Sequence, residues 1–385
     1  MLTKNISFRD FKNQTKSKKL KKYLHELISS KDAVIESLQK NYEYSYTKEK
    51  IKKLKKFKDI RIFGMGGSSL GGNAIYDFLK YKIKKNFYFV SNLSRIDFFP
   101  KKKYLNIIIS KSGNTLETIV NSNIYIKKNE KNILITDKKD SNLKSISKKL
   151  RAEIIDHNNY IGGRYSVLSE VGMLPAELMG LNESKFKQFN NLVKNKNFFN
   201  SITNNVGNIL ILMRRKKFNS VILNYDETAD SFLKWYQQLV AESLGKKGKG
   251  IFPIISTMPK DNHSLMQLYL DGKKNNFYTF FTTSNKLSPK IKSSIIPKSQ
   301  KFLINKDLNE ITISQILATQ KVFKKKNMPF RTFSIKNRSE ETLGELFSFF
   351  ILETILLAKS LKINPYDQPS VELIKTETKK ILTSY

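Results

Sequence analysis

DIRIFGMGGSSLGGNAIYDFL, residues 59–79, reads as a strand, a glycine-rich loop and a helix in that order. The apolar run ending at Phe63 has strand length, and it meets a glycine cluster where a strand must turn. The same alternation continues down the chain. NFYFVSN is a strand, LNIIISKSGNTLETIVNSNIYI a strand, polar loop and helix, KNILITD a strand, SNLKSISKKL a helix and AEIID a strand. It returns in SVILNY, the helix around Trp235, GIFPIIS, the helix NHSLMQLYL and the strand FYTFFTT. A helix near 311–325, the strand FRTFSI and a long helix at 341–361 complete it. Short apolar strands separated by helices predict parallel sheets covered on both faces. We therefore expect an α/β protein with two doubly wound units. Residues 1–57 are expected to form a Lys-rich helical region, 58–180 the first α/β domain and 181–385 the second, with C-terminal helices.

The bulk composition narrows the function. A chain of 385 residues with 39% hydrophobic and 11% aromatic residues can bury a large core. It has no cysteine, so neither a disulfide nor a thiolate metal site is available. The first residues, MLTKNISFRDFKNQTKSKK, lack the apolar run of a secretion signal. LFSFFILETILLA, residues 346–358, is short for a bilayer and carries Glu353, so it reads as a buried helix. A cytoplasmic protein without membrane contact is expected. The net charge of +37 comes mainly from lysine spread along the whole chain, with no aromatic RNA-binding motif and no basic-helix repeat. That pattern argues against a nucleic-acid partner and leaves a general field that attracts small anions.

Ligands of open α/β sheets gather at the carboxyl ends of the strands, and three loops there carry chemistry. GMGGSSLGG, 64–72, lacks the dinucleotide spacing, because Ser69 stands where a third glycine belongs, and no P-loop lysine follows. Its glycines allow close backbone approach and Ser68 offers a hydroxyl. SKSGNTLET, 110–118, sets Ser110, Lys111, Ser112 and Thr115 ahead of a helix. Three hydroxyls, one ammonium and a helix N-terminus suit a phosphate monoester held without metal. YIGGRYSVLSEVGML, 160–174, places Arg164 after two glycines, where it could bind phosphate or an oxyanion.

A fourth stretch, WYQQLVAESLGKKGKG, 235–250, sets a carboxylate in an apolar helix. Phe232, Trp235, Tyr236 and Leu239 form one stripe, and Glu242 lies at its margin, one turn past Gln238. A partly desolvated carboxylate suits a general base. An ion pair with Lys246 four residues on is the plain alternative. The three histidines, His25, His157 and His263, are too scattered for a metal triad, and no metal or cofactor is expected.

These blocks, with DQPSVELIK at 367–375, resemble those of the glucose-6-phosphate isomerase family, in the same order. The resemblance covers the chain from about residue 58 onward. SKSGNT is closer to the general sugar-isomerase pattern, with Gly113 and Asn114 in place of the family's Phe and Thr. It implies two sugar-isomerase domains and cofactor-free interconversion of glucose 6-phosphate and fructose 6-phosphate through an enediol(ate). By the same resemblance Ser110, Lys111, Ser112 and Thr115 hold the phosphate, and Gly67 and Ser68 lie against the sugar phosphate. Gln238 and Gln368 contact substrate, Arg164 stabilises the intermediate and Glu242 moves the proton. His263 and Lys375 serve ring opening, with His263 reaching the neighbouring active site of a homodimer. Mannose 6-phosphate as a second substrate, and a non-catalytic sugar-phosphate-binding regulator, are the alternatives.

Overall fold

The structure is a computed structural model that describes residues 2–11, 17–93, 99, 102–284, 288–292 and 295–384. Two five-stranded sheets form its frame. The first is wholly parallel. It is built from β2 (Asp59–Phe63), β3 (Asn86–Val90), β4 (Tyr104–Ile109), β5 (Lys131–Thr136) and β6 (Glu153–Asp156), in spatial order β3-β2-β4-β5-β6. Helices α4 (Gly67–Phe78), α5 (Leu116–Tyr125) and α6 (Asn142–Lys149) follow β2, β4 and β5. Every residue of β2 and β4 is buried, as a strand covered on both faces requires. Three polar side chains interrupt these strands in one register across the sheet: Arg61 beside Asn106 beside Asn132. Arg61 Nε donates to Asn106 Oδ1 at 2.8 Å and Asn106 Nδ2 to Asn132 Oδ1 at 2.8 Å, and Glu130 pairs with the Arg61 guanidinium at the end of the row.

The second sheet has the order β1 (Ile6–Arg9), β10, β9, β7, β8. β7 (Asn219–Asn224), β8 (Phe252–Thr257), β9 (Asn276–Thr283) and β10 (Phe330–Ile335) are mutually parallel. Between them run α10 (Asp230–Leu244), the short α11 (Asp261–Ser264) and α12 (Met266–Asp271), and α13 (Leu308–Lys325). The remaining helices are α1 (Lys18–Ile28), α2 (Ala33–Leu38), α3 (Lys48–Leu54), α7 (Glu170–Leu178), α8 (Phe189–Lys194), α9 (Lys196–Arg214), α14 (Glu340–Leu361) and α15 (Ser370–Thr383).

One element departs from the sequence expectation. Residues 1–57 read as helices only, yet Ile6–Arg9 form β1, the antiparallel edge strand against β10. Four residues carry too little alternation to announce a strand, and their pairing partner lies at the far end of the chain. The N-terminal segment is not a separate module. α1 packs on α9 and α14, while α2 packs on the turn Gly163–Leu168 and α3 on α7.

α14 answers the question of its buried carboxylate. Residues 340 and 342–358 are buried, and Glu353 pairs with the fully buried Arg331 guanidinium and with Asn205. A charge in such a place persists because it is paired and hydrogen-bonded. Among the described residues no helix is long and apolar enough to cross a membrane. The two sheets share one continuous core. α10 lies along α4, and α7 and α14 pack against that pair from either side, so the carboxyl edge of the first sheet faces α10.

Candidate active site

In the first sheet β3 lies on one side of β2 and β4 on the other, so the order in which strands are added reverses between β2 and β4. A crevice opens at the strand ends at such a point. Here the loops after β2 and β4, the turn bearing Arg164, the end of α10 and the start of α15 enclose a cavity of about 680 Å³. That volume lies within the range of small-molecule sites, about 300–1,000 Å³.

The glycine block is less of a loop than its sequence suggests, because α4 already begins at Gly67. Gly66 has φ 53, and a Cβ there would lie 2.7 Å from the Gln238 amide. At Gly67 a Cβ would stand 2.1 Å from the carbonyl carbon of Gly163. This glycine therefore lets α4 press on the Arg164 turn and sets where that turn sits.

On the opposite wall Lys111, Ser112, Asn114 and Thr115 face the cavity ahead of α5, whose N-terminus contributes partial positive charge. The loop is held from behind. The Lys111 carbonyl accepts from Asp137 N at 3.0 Å and Thr136 Oγ1 at 3.2 Å, and the Gly113 carbonyl from Leu143 N at 2.9 Å. Burial holds the Lys111 ammonium below the usual lysine range; Arg164 and Lys139 act the same way, and Asp137 pushes back. An anion bound here relieves that penalty.

Arg164 is buried and spends all five N–H donors inside the protein. Nε donates to Ser243 Oγ at 2.9 Å. Nη1 donates to Glu242 Oε2 at 2.9 Å and to Gln368 Oε1 at 2.7 Å. Nη2 donates to the carbonyls of Pro365 at 2.6 Å and Asp367 at 3.1 Å. Trp235 Nε1 donates to the Arg164 carbonyl at 3.1 Å, fixing the main chain beneath. The Glu242 side chain is 31% exposed, and its second oxygen accepts from Gln238 Nε2 at 2.7 Å. Gln238 Oε1 is buried and has no partner among the described residues. Lys246 does not pair with Glu242; it binds Asp367 at 2.7 Å instead.

All the residues that the family resemblance assigns to the site line this cavity except Ser110 and His263. Ser110 is buried behind the loop, its hydroxyl 2.9 Å from that of Thr115. His263 is exposed on α11, away from the cavity of its own chain. Lys375 lines the cavity from α15 and pairs with Glu372 at 2.6 Å; α15 has no buried residue. His157 is buried, its Nδ1 3.7 Å from Glu170. Sequence reasoning passed over Asp137, Lys139, Asn159 and Tyr366, which also line the cavity. Asp137 ends the strand KNILITD at the ligand edge, which was a usable signal; Tyr366, between two helices, gave none. Among the described residues no group of three His, Asp or Glu side chains is placed to hold a metal ion.

The arrangement thus offers a carboxylate, a fixed cation beside it and an anion cradle across the cavity. Comparisons with known proteins bear on it. The family model described as phosphoglucose isomerase matches residues 28–256. A glucose-6-phosphate isomerase of Methanocaldococcus jannaschii is 32% identical over 88% of this chain and 86% of its own length. One from Mycoplasmopsis pulmonis is 31% identical, with 83% and 82% covered. Among solved structures, a hypothetical protein of Thermus thermophilus superposes with a TM-score of 0.80 at 20% identity, covering 94% of each chain. A glucose-6-phosphate isomerase of Chlamydia trachomatis gives 0.73 at 19% identity, covering 97% of this chain and 80% of its own.

Proposed function

This chain belongs to the phosphoglucose isomerase family, and we propose that its cavity interconverts glucose 6-phosphate and fructose 6-phosphate by proton transfer at Glu242. The observation that carries this reading is the Arg164 guanidinium bridging Glu242 and Gln368 in the same cavity as the Lys111 loop.

The Lys111 loop takes the phosphate, and the sugar then extends toward α10. Glu242 removes the C2 proton of the open-chain aldose and returns it to C1, while the hydroxyl proton passes from O2 to O1. As Glu242 gains the proton it loses its charge, while negative charge appears on the enediolate oxygen. The Nη1–H that binds Glu242 Oε2 is then free to favour the enediolate, so one donor serves both states. Arg164 remains charged throughout. Gln238 Nε2 holds the other oxygen of Glu242 in place. Phosphate binding energy holds the reacting carbons against Glu242. The deciding experiment is a coupled assay of fructose 6-phosphate conversion with mannose 6-phosphate as competitor. No turnover by the pure, folded chain would refute the reading.

Replacing Lys111 and Ser112 together by Ala should weaken competitive inhibition by inorganic phosphate. One charged hydrogen bond is worth about 1.5–3 kcal/mol, roughly 10- to 150-fold in affinity. pH adds a second signature. As pH rises through the lowered Lys111 value the ammonium is lost, so inhibition should fade at lower pH than for an ordinary lysine. Lys111→Ala should lack that limb. Unchanged inhibition in the double variant would move the phosphate site elsewhere.

By the family resemblance, ring opening is assigned to Lys375 and to a His263 that reaches the active site of the neighbouring subunit in a two-fold dimer. Glu242→Gln and His263→Ala chains, each nearly inactive, should then complement. Random mixing puts about half the chains' dimers in the mixed form, each with one intact site, so activity returns to about one quarter of wild type. No recovery in dimers shown by mass to be mixed would exclude a shared site.

A further inference from the structure

We propose that Tyr366 and Asp32 form a latch that positions Arg164, a role that rests on the isomerase reading above. Three of the five acceptors around the guanidinium come from one short connection between α14 and α15: the carbonyls of Pro365 and Asp367 and the side chain of Gln368. That connection is mostly exposed and has no regular hydrogen-bond ladder of its own. Apart from the Arg164 and Tyr165 bonds to its carbonyls, two side-chain anchors among the described residues hold it. Lys246, at the end of α10, binds the Asn364 carbonyl and the Asp367 carboxylate. The second anchor comes from the N-terminal segment: the Tyr366 hydroxyl donates to Asp32 Oδ2.

Asp32 divides its carboxylate between two tasks. Oδ1 accepts from Val34 N at 2.8 Å and caps α2, and Oδ2 takes the tyrosine. Burial, and then Asp32 itself, push the Tyr366 hydroxyl well above the usual tyrosine range, so it stays protonated and remains the donor. Its ring stands edge-on to Tyr165 at 5.6 Å, and Tyr165 shares Ser243 and the Pro365 carbonyl with Arg164. A charge-assisted bond from α2 thus sets the plane of the peptide groups that orient the guanidinium. Neither Asp32 nor the Tyr366 hydroxyl contacts the phosphate loop, so the latch acts on the proton-transfer step and not on substrate capture. Tyr366 and Asp32 are positioning residues.

The test separates capping from latching. Asp32→Ser keeps a good N-cap for α2 but is too short to reach Tyr366, and Tyr366→Phe removes only the hydroxyl. Each should lower kcat about tenfold, the scale of a modest misplacement of a catalytic group, with KM and inhibition by inorganic phosphate little changed. The double variant should be no slower than either single one, because both remove the same bond. Hydrogen exchange over residues 363–369 should quicken in both. That measurement needs no substrate, so it decides the latch even if the isomerase reading fails. Wild-type kcat in both variants, additive losses, or unchanged exchange over 363–369 would each overturn the proposal.

Discussion

Glu242→Gln should lower kcat by at least ~10², the usual contribution of a positioned general base, while inorganic phosphate still inhibits. The geometry explains why the variant should fold. Glu242 accepts one bond from Arg164 and one from Gln238. A glutamine can keep its oxygen toward Arg164 and turn its amide nitrogen toward Gln238. Two donors would then face each other, but the Gln238 amide can flip, because its own oxygen has no partner among the described residues. The hydrogen bonds survive and only the proton acceptor is lost. Loss of kcat with intact phosphate inhibition is therefore the expected pattern. Near-normal turnover by the purified variant would remove Glu242 from the mechanism.

Arg164→Lys should be nearly as damaging although it keeps the charge. An ammonium has three donors on one flexible point, whereas Arg164 uses a planar fork to reach five acceptors on two segments. Loss of an oriented donor to a developing oxyanion costs about 10²–10³ in kcat. Stability should fall as well, since each buried acceptor left unfilled costs about 1–3 kcal/mol. Steady-state kinetics and a thermal melt check both effects. A lysine variant with wild-type kcat would show that charge alone suffices and that the fork is dispensable.

Much of this architecture is legible in the chain. The strands ending at Phe63, Ile109 and Thr136 are apolar runs with glycine or polar punctuation, and each delivers a loop to the same sheet edge. Trp235, Tyr236 and Leu239 are buried as their helical spacing requires, and Glu242 is partly exposed beside them. Glu353 is legible as a buried charge but not its partner, because Arg331 lies 22 residues earlier on the preceding strand, beyond the reach of helical spacing. β1 escaped notice because its stabilising partner, β10, is at the other end of the sequence.

Local periodicity and turn chemistry act within windows of a few residues, so the sequence by itself determined the βα alternation, the loops at the strand ends and the residue types each presents. It also determined the family to which those loops belong. What only the tertiary structure decided are meetings between distant segments. Arg164 touches Glu242, Gln368 and the 365–367 carbonyls at once, Gly67 sits against Gly163, Tyr366 reaches Asp32, and His263 stays outside the cavity of its own chain. Such contacts follow from how α4, α10 and the N-terminal helices pack around one core, and packing is a property of all the side chains together rather than of any one stretch.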